Sequence, residues 1–492
     1  MAALLTGCAG VPKEPISSAV PHSTVGTTDS WLAQGDATVK NLAAQRQNKR
    51  RAKNVILFVG DGMGISTLTA GRIYEGQLRG ETGEENLLSF ENFPYSALVK
   101  TYNVNAQVSD SAGTATALNT GTKTRIGVIN TAPTHPSYIC KGMEKDAPVP
   151  LAYYAEKIGM STGVVSTAGL THATPAAVYA HSPGRTWEAD VHLTEEAKAN
   201  GCTDIASQIV SDMDGNGLEV ALGGGLSHFL PIGEASGIRA DGKNIAKEWT
   251  DGRPTAKFVQ SSAELAAVDH GSTDHLLGLF SDNHMQFNAI RPKEQPSLSE
   301  MTEAAIKVLS KNKKGYYLMV EAGRIDHGHH AGSAFAALTE TAALSAAVKK
   351  ALSMVDTKDT LILVTADHSH TLTISGYPKR GNPILGLSSA HDIPENEYSL
   401  AEDGKPYTTL GYQNGPGAIA GERKTLTQEE VLSPRFQQQA AYPLKSETHG
   451  GEDVALFAVG PWAHLARGTI EQNVIFHIMD HALGLRKRAA KK

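Results

Sequence analysis

The sequence predicts an α/β fold with a mainly parallel central sheet flanked by helices on both faces, and two observations carry this. Five short apolar runs, Val55–Val59, Thr162–Ser166, Tyr316–Val320, Thr360–Thr365 and Val454–Val459, lie at wide intervals. Each is rich in β-branched residues and nearly continuous in hydrophobicity, as strands covered on both faces must be. Amphipathic segments lie between them, including Ser299–Ser310 and Ala334–Ser353. Strand alternating with helix calls for parallel pairing through crossovers.

Composition supports this. The chain has 492 residues, 40% hydrophobic and 20% charged, with 45 Lys and Arg against 51 Asp and Glu for a net charge of −6. That balance excludes wholesale disorder and a dedicated nucleic-acid binder, and the length can bury a large core. Histidine is plentiful at 19 and cysteine scarce at 3.

In chain order, residues 1–30 read as a lipoprotein-like signal remnant and a Pro/Ser/Thr-rich linker. Leu5-Thr6-Gly7-Cys8 resembles a bacterial lipobox, which makes Cys8 a candidate lipidation site. The expectation is an exported chain, periplasmic or anchored to a membrane through Cys8. No segment has the ~18 consecutive apolar residues of a spanning helix. A helical pattern follows Asp29-Ser30 to about Ala44, and the basic run Gln47–Lys53 reads as a solvated helix end. The α/β domain is expected over 31–371, interrupted by a Gly/Pro/Tyr-rich insertion at 372–445, resumed at 446–486 and closed by a basic tail at 487–492. Cys140 and Cys202 suit a disulfide if the chain is exported and buried thiols if it is cytosolic.

Ligands gather beyond the carboxyl ends of strands in open α/β sheets. After the first run comes Gly60-Asp61-Gly62-Met63-Gly64, which is not a dinucleotide fingerprint. An Asp inside the loop would repel a pyrophosphate but suits a cation. Ser111, in VSDSAGTAT, stands at a helix start, where the field of unsatisfied amides favours an alkoxide and an approaching anion; the alternative is an ordinary N-cap. Glu321 directly follows the third run and opens EAGRIDHGHH, where Asp326 and His330 are four residues apart and so share a helix face, a natural arrangement for two zinc ligands. Asp367 and His368 follow the fourth run. His449 precedes its strand, so its approach to the others requires the loop to carry it. Asp with His suits zinc, and carboxylate with hydroxyl suits magnesium, so this inventory fits more than one ion. Asp212-Met-Asp214-Gly-Asn216-Gly217 imitates the opening of an EF-hand loop, but its twelfth position is Gly223 where a Glu is needed, so it reads as a turn.

Together the segments VGDGMG, VSDSAGTATA, THATPAA, VEAGRIDHGHH, TADHSHT and ETHGGEDVALFAVGP resemble, in order, the alkaline phosphatase family. The likeness runs from about Lys53 to His481 and is nearer the animal and marine-bacterial branch. It implies hydrolysis of phosphate monoesters through a phosphoserine, by a two-zinc in-line mechanism with an accessory magnesium. The implied first zinc ligands are Asp326, His330 and His449, and the second are Asp61, Asp367 and His368, with Ser111 the nucleophile. The implied magnesium ligands are Asp61, Thr174 and Glu321, with His172 beyond them and His327 bordering the site. Arg185 matches the residue that grips phosphate, and Cys140 with Cys202 matches a disulfide of animal-type members. The resemblance also implies a homodimer, with 372–445 as a crown over it. It fails at the animal calcium site, where Ser281 and Gln295 replace the acidic ligands, which argues against calcium. A sulfatase of the same superfamily would need a C/S-x-P-x-R context, and Ser111 is followed by Ala-Gly-Thr-Ala.

Overall fold

The computed structural model describes residues 26–394 and 396–491, so Cys8 and the lipobox lie outside the described residues. All five apolar runs become strands of one ten-stranded sheet. In chain order its strands are β1 (Asn54–Gly60), β2 (Tyr95–Lys100), β3 (Ser161–Gly169), β4 (Val220–Gly224), β5 (Lys257–Val259), β6 (Leu276–Leu279), β7 (Tyr316–Ala322), β8 (Thr360–Ala366), β9 (Val454–Val459) and β10 (Thr469–Glu471). Their spatial order is β10-β2-β9-β8-β1-β7-β3-β4-β6-β5. Every pairing is parallel except those of β9 with β8 and with β2.

Burial explains the hydrophobic runs. β1, β3, β7 and β8 are buried at every position, because helices cover both faces. Helices Ile65–Gln77, Leu298–Leu309 and Ala334–Met354 pack together on one side, and Ser111–Thr120, Leu151–Lys157 and Val474–Leu483 cover the other. Each buried Val, Leu or Ile contributes about 1.5–3 kcal/mol relative to exposure. The helices start where local chemistry allows. Ser297 caps Leu298–Leu309 in a reciprocal box with Glu300, and Ser333 caps Ala334–Met354.

Leu372–Ile374, Leu410–Gly415 and Ala440–Pro443 form a separate three-stranded sheet. Its Leu372, Leu410 and Tyr412 share an apolar cluster with Tyr74 and Leu338, which seats it against the helices Ile65–Gln77 and Ala334–Met354. Cys140 and Cys202 are disulfide-bonded, with their Cα atoms 5.9 Å apart. Asp212–Gly217 is a tight turn in which the Asp212 carbonyl accepts from the amides of Gly215 and Gly217. Among the described residues no helix is long and apolar enough to cross a membrane.

Candidate active site

The sheet delivers the candidate residues to one edge. Asp61 follows β1, Glu321 lies near the end of β7, and Asp367 follows β8; these three strands are adjacent and parallel. His449 joins them because β9 runs the other way, so the start of β9 lies at the carboxyl edge of its neighbours. The His449–Gly450 segment pairs antiparallel with Ser369–His370, and the His449 ring stacks on His368 with centroids 3.7 Å apart.

Three clusters result. Their potential ligand atoms lie within 4.8 Å of one another in each of Asp326/His330/His370/His449, Asp61/Asp326/His368 and Asp61/His172/Glu321. In the first, His330 Nδ1 is 2.6 Å from the Glu447 carbonyl and His449 Nδ1 is 2.7 Å from the Ser109 carbonyl. A carbonyl only accepts, so both Nδ1 atoms carry hydrogen and both Nε2 atoms present lone pairs. Those Nε2 atoms lie 3.2 Å from each other and 3.3 Å from Asp326 Oδ1. Three acceptors converging with no hydrogen between them is the arrangement a cation satisfies. His370 plays another part. Its nitrogens face Asp326 Oδ1 at 2.8 Å and Glu447 Oε2 at 2.5 Å, so it donates to both carboxylates and orients Asp326. Those two partners outweigh burial and push its pKa up to about 10.

The second cluster repeats this logic. His368 Nδ1 faces the Ser369 carbonyl, which leaves Nε2 as a lone pair 3.3 Å from Asp61 Oδ1, 3.4 Å from Asp367 Oδ2 and 3.2 Å from Ser111 Oγ. Ser111 Oγ is also 3.5 Å from Asp61 Oδ1. The third cluster is hard oxygen. Asp61 Oδ2, Thr174 Oγ1 and Glu321 Oε1 are buried and have no hydrogen-bond partner, while the second Glu321 oxygen accepts from Ser166. Burial and the neighbouring carboxylates raise Asp61 well above the ordinary range, and burial raises Glu321 to about 7. Such a concentration of buried carboxylates is stable when cations neutralise it. The donor sets fit: nitrogen with oxygen in the first two clusters, and oxygen with His172 alongside in the third.

Asp110, not Ser111, caps the helix Ser111–Thr120, its Oδ1 accepting from Gly113 N at 3.1 Å. The Ser111 hydroxyl is thus spared capping and faces His368. The other Asp110 oxygen accepts from Arg185 Nη1 at 2.9 Å, and Arg185 Nη2 donates to His172 Nε2 at 3.0 Å. Burial and the Arg185 charge hold His172 neutral, well below its ordinary pKa. His327 takes a hydrogen bond from Arg324 and packs against His284 at 4.3 Å, a residue no sequence motif singled out. His329 points away, to Thr67 and Tyr412. Ser281 and Gln295 hydrogen-bond within their own loop, to the His284 carbonyl and the Gln286 amide.

Comparison with known proteins gives the family. The alkaline phosphatase family profile matches residues 52–485. The chain belongs to the alkaline phosphatase family. It is 44% identical over 469 residues to the tissue-nonspecific isozyme of alkaline phosphatase from Felis catus, covering 92% of this chain and 88% of that one. It is 42% identical to the alkaline phosphatase of Gadus morhua, covering 90% and 94%. The fold matches that of the solved Thermus thermophilus alkaline phosphatase with a TM-score of 0.63 at 23% identity, covering 92% of this chain and 97% of that one. Alkaline phosphatase from the Antarctic bacterium TAB5 gives 0.62 at 23% identity, covering 89% and 99%. The chain is therefore a phosphatase, a hydrolase of this family.

Proposed function

We propose that the chain hydrolyses phosphate monoesters to an alcohol and inorganic phosphate, with Ser111 as nucleophile. The observation that carries this reading is the position of Ser111 Oγ, at a helix N-terminus and within 3.5 Å of both His368 Nε2 and Asp61 Oδ1. Asp326, His330 and His449 would hold one zinc, and Asp61, Asp367 and His368 a second. Asp61, Thr174 and Glu321 would hold magnesium, with His172 and His327 beyond. When bound, the ions supply Lewis-acid charge that lowers the serine pKa and stabilises the departing alkoxide. A solved variant of the TAB5 enzyme has Mg bound in a site termed M3, which supports magnesium as a ligand of this fold.

The protein's own groups do the rest. Ser111 Oγ forms a bond to phosphorus in line as the ester P–O bond breaks; the proton of the hydroxyl leaves to solvent, and the departing alkoxide takes a proton from solvent to become the alcohol. Water then displaces the serine oxygen from phosphorus and the hydroxyl is restored. Arg185, held by Asp110, still has one N–H on each terminal nitrogen for two non-bridging oxygens. The positive end of the helix Ser111–Thr120 adds to this hold. Deprotonated serine is needed, so rate rises into alkaline pH.

We further infer an exported homodimer, anchored through Cys8 and with 372–445 at the dimer crown. The disulfide supports the oxidising compartment. The test compares nitrophenyl phosphate, bis-nitrophenyl phosphate and nitrophenyl sulfate across pH, before and after chelation, with zinc and magnesium restored separately. The expected result is alkaline monoester hydrolysis that chelation abolishes and both metals together restore. Chelator-resistant turnover, or a preference for the sulfate, overturns the reading.

A further inference from the structure

One strand of the small sheet reaches the first cluster at three places. Leu410–Gly415 is the central strand of the three-stranded sheet. Leu410, Tyr412 and Asn414 are buried, whereas Gln413 is exposed. Successive side chains of a strand point to opposite faces, so the three buried ones share a face. Leu410 joins an apolar cluster there. Tyr412 and Asn414 carry polar groups to the same face, and buried polar groups need partners.

Each finds its partner beside a candidate ligand. Tyr412 Oη lies 2.8 Å from His329 Nδ1, and the other nitrogen of His329 lies 3.0 Å from Thr67 Oγ1. Both edges of the His329 ring are thereby fixed. That ring is fully buried and stacks on His370, with centroids 4.7 Å apart and 30° between the planes. His370 in turn donates to Asp326 Oδ1, so the orientation of Asp326 passes back through two rings to Tyr412. Asn414 acts on the other side of the cluster. Its Oδ1 accepts from Thr448 N at 3.0 Å and its Nδ2 donates to Thr448 Oγ1 at 2.9 Å. One amide thus holds the residue before His449 by both its backbone and its hydroxyl. The strand then ends against Glu447. Gly415 has φ +138°, and a Cβ there would stand 3.1 Å from Glu447 Cβ, so glycine is what permits the approach. Glu447 orients His330 through its carbonyl and His370 through its carboxylate, whose second oxygen accepts from the amide and hydroxyl of Thr371.

We propose that Tyr412 and Asn414 are positioning residues, which hold Asp326 and His449 from the small sheet and so set how tightly the first cluster keeps its cation. This role presupposes the cation proposed above for Asp326, His330 and His449. Ligands already aimed by their outer partners lose little freedom when the ion arrives, and that saving appears as affinity.

The test uses the full chain loaded with zinc. Tyr412→Phe keeps the ring and removes the hydroxyl, Asn414→Ala removes both bonds to Thr448, and Gln413→Ala alters only the solvent face of the same strand. Loss of an outer partner weakens metal affinity about ten- to hundred-fold. One zinc ion should therefore leave Tyr412→Phe and Asn414→Ala for a chromogenic chelator roughly ten- to hundred-fold faster than it leaves the parent, while Gln413→Ala matches the parent. Turnover of nitrophenyl phosphate by the two variants should recover as free zinc is raised by the same factor. Melting temperature separates positioning from packing. A ligand stabilises the fold only by its binding free energy, so the gap between zinc-loaded and metal-free melting temperatures should narrow in both variants. A gap as wide as the parent's with unchanged zinc release overturns the positioning role alone. A parent chain that binds no zinc overturns it together with the cation reading on which it rests.

Discussion

Ser111 is the proposed nucleophile, and its freedom depends on its neighbour. Asp110 caps the helix, so the Ser111 hydroxyl makes no capping bond. Ser111→Ala should therefore lower turnover of nitrophenyl phosphate by about three orders of magnitude, with the melting temperature unchanged. Nearly full activity would refute the nucleophile. Asp110 also ties down Arg185, accepting from Nη1 while its oxygens take the amides of Gly113 and Gly127 and the side chain of Asn103. In Asp110→Asn one carboxylate oxygen becomes an NH2 that faces other donors. A hydrogen bond to a charged group is worth about 1.5–3 kcal/mol, so kcat/KM should fall roughly ten- to hundred-fold. The loss should appear mainly in KM for the ester and in the inhibition constant of inorganic phosphate, because Arg185 would still be present but poorly aimed. An unchanged phosphate inhibition constant would show that Arg185 needs no tether.

At the scale of elements, the helix Arg324–His330 places Asp326 and His330 only because it lies close against its neighbour. A Cβ added at Gly328 would stand 2.6 Å from Ala337 N and 3.0 Å from Ala337 Cα, both backbone atoms of the helix Ala334–Met354. Helix propensity favours Ala by about 1 kcal/mol, but overpacking costs ~1–3 kcal/mol, and here the obstructing atoms cannot rotate away. Gly328→Ala should thus lower stability despite its better propensity, and should release metal faster, measured as the rate of inactivation in chelator. The strands show what could be read from sequence. β1, β3, β7 and β8 were legible because both faces are buried, and β9 because its run is apolar throughout although Phe457 and Val459 are only half-buried. β2 alternates in burial, β4 and β6 contain glycine, and β5 and β10 have three residues each, too few for any period. The direction of β9 was not legible, since it is a property of pairing and not of composition. That direction is what brings His449 to the site. Ligand types next to strand ends could be read locally, whereas Glu447 and His284 act through partners far away in the chain.

The whole molecule is polar: the candidate site lies at the carboxyl edge, and the opposite edge, the base of the sheet, has its own titrating pair. There Glu156 and Glu219 are buried side by side, 2% and 8% exposed. Thr162 bridges them with its hydroxyl on Glu156 and its amide on Glu219, and Asn216 bridges them again with its amide on Glu156 and its side chain on Glu219. His275, within reach of Asn216, is itself held at about 4 by burial, and Arg253 donates to the Asn216 carbonyl. Burial, then the charge of Glu219, pushes Glu156 up to about 9, and burial pushes Glu219 to about 7. Both folded-state values exceed the unfolded one, so the folded chain binds more protons than the unfolded chain above pH ~4.5. Stability from this pair is full below that pH and is lost as pH climbs through about 7 and then about 9. The rate rise expected of the proposed mechanism falls in the range where the base loses hold. Glu156→Gln keeps the shape and a donor but cannot ionise. Its melting temperature should fall less between pH 6 and pH 10 than that of the parent chain, while its pH–rate profile, set ~20 Å away by Ser111, stays unchanged. Parallel melting curves for the two proteins over that range would show that the pair does not titrate in the fold.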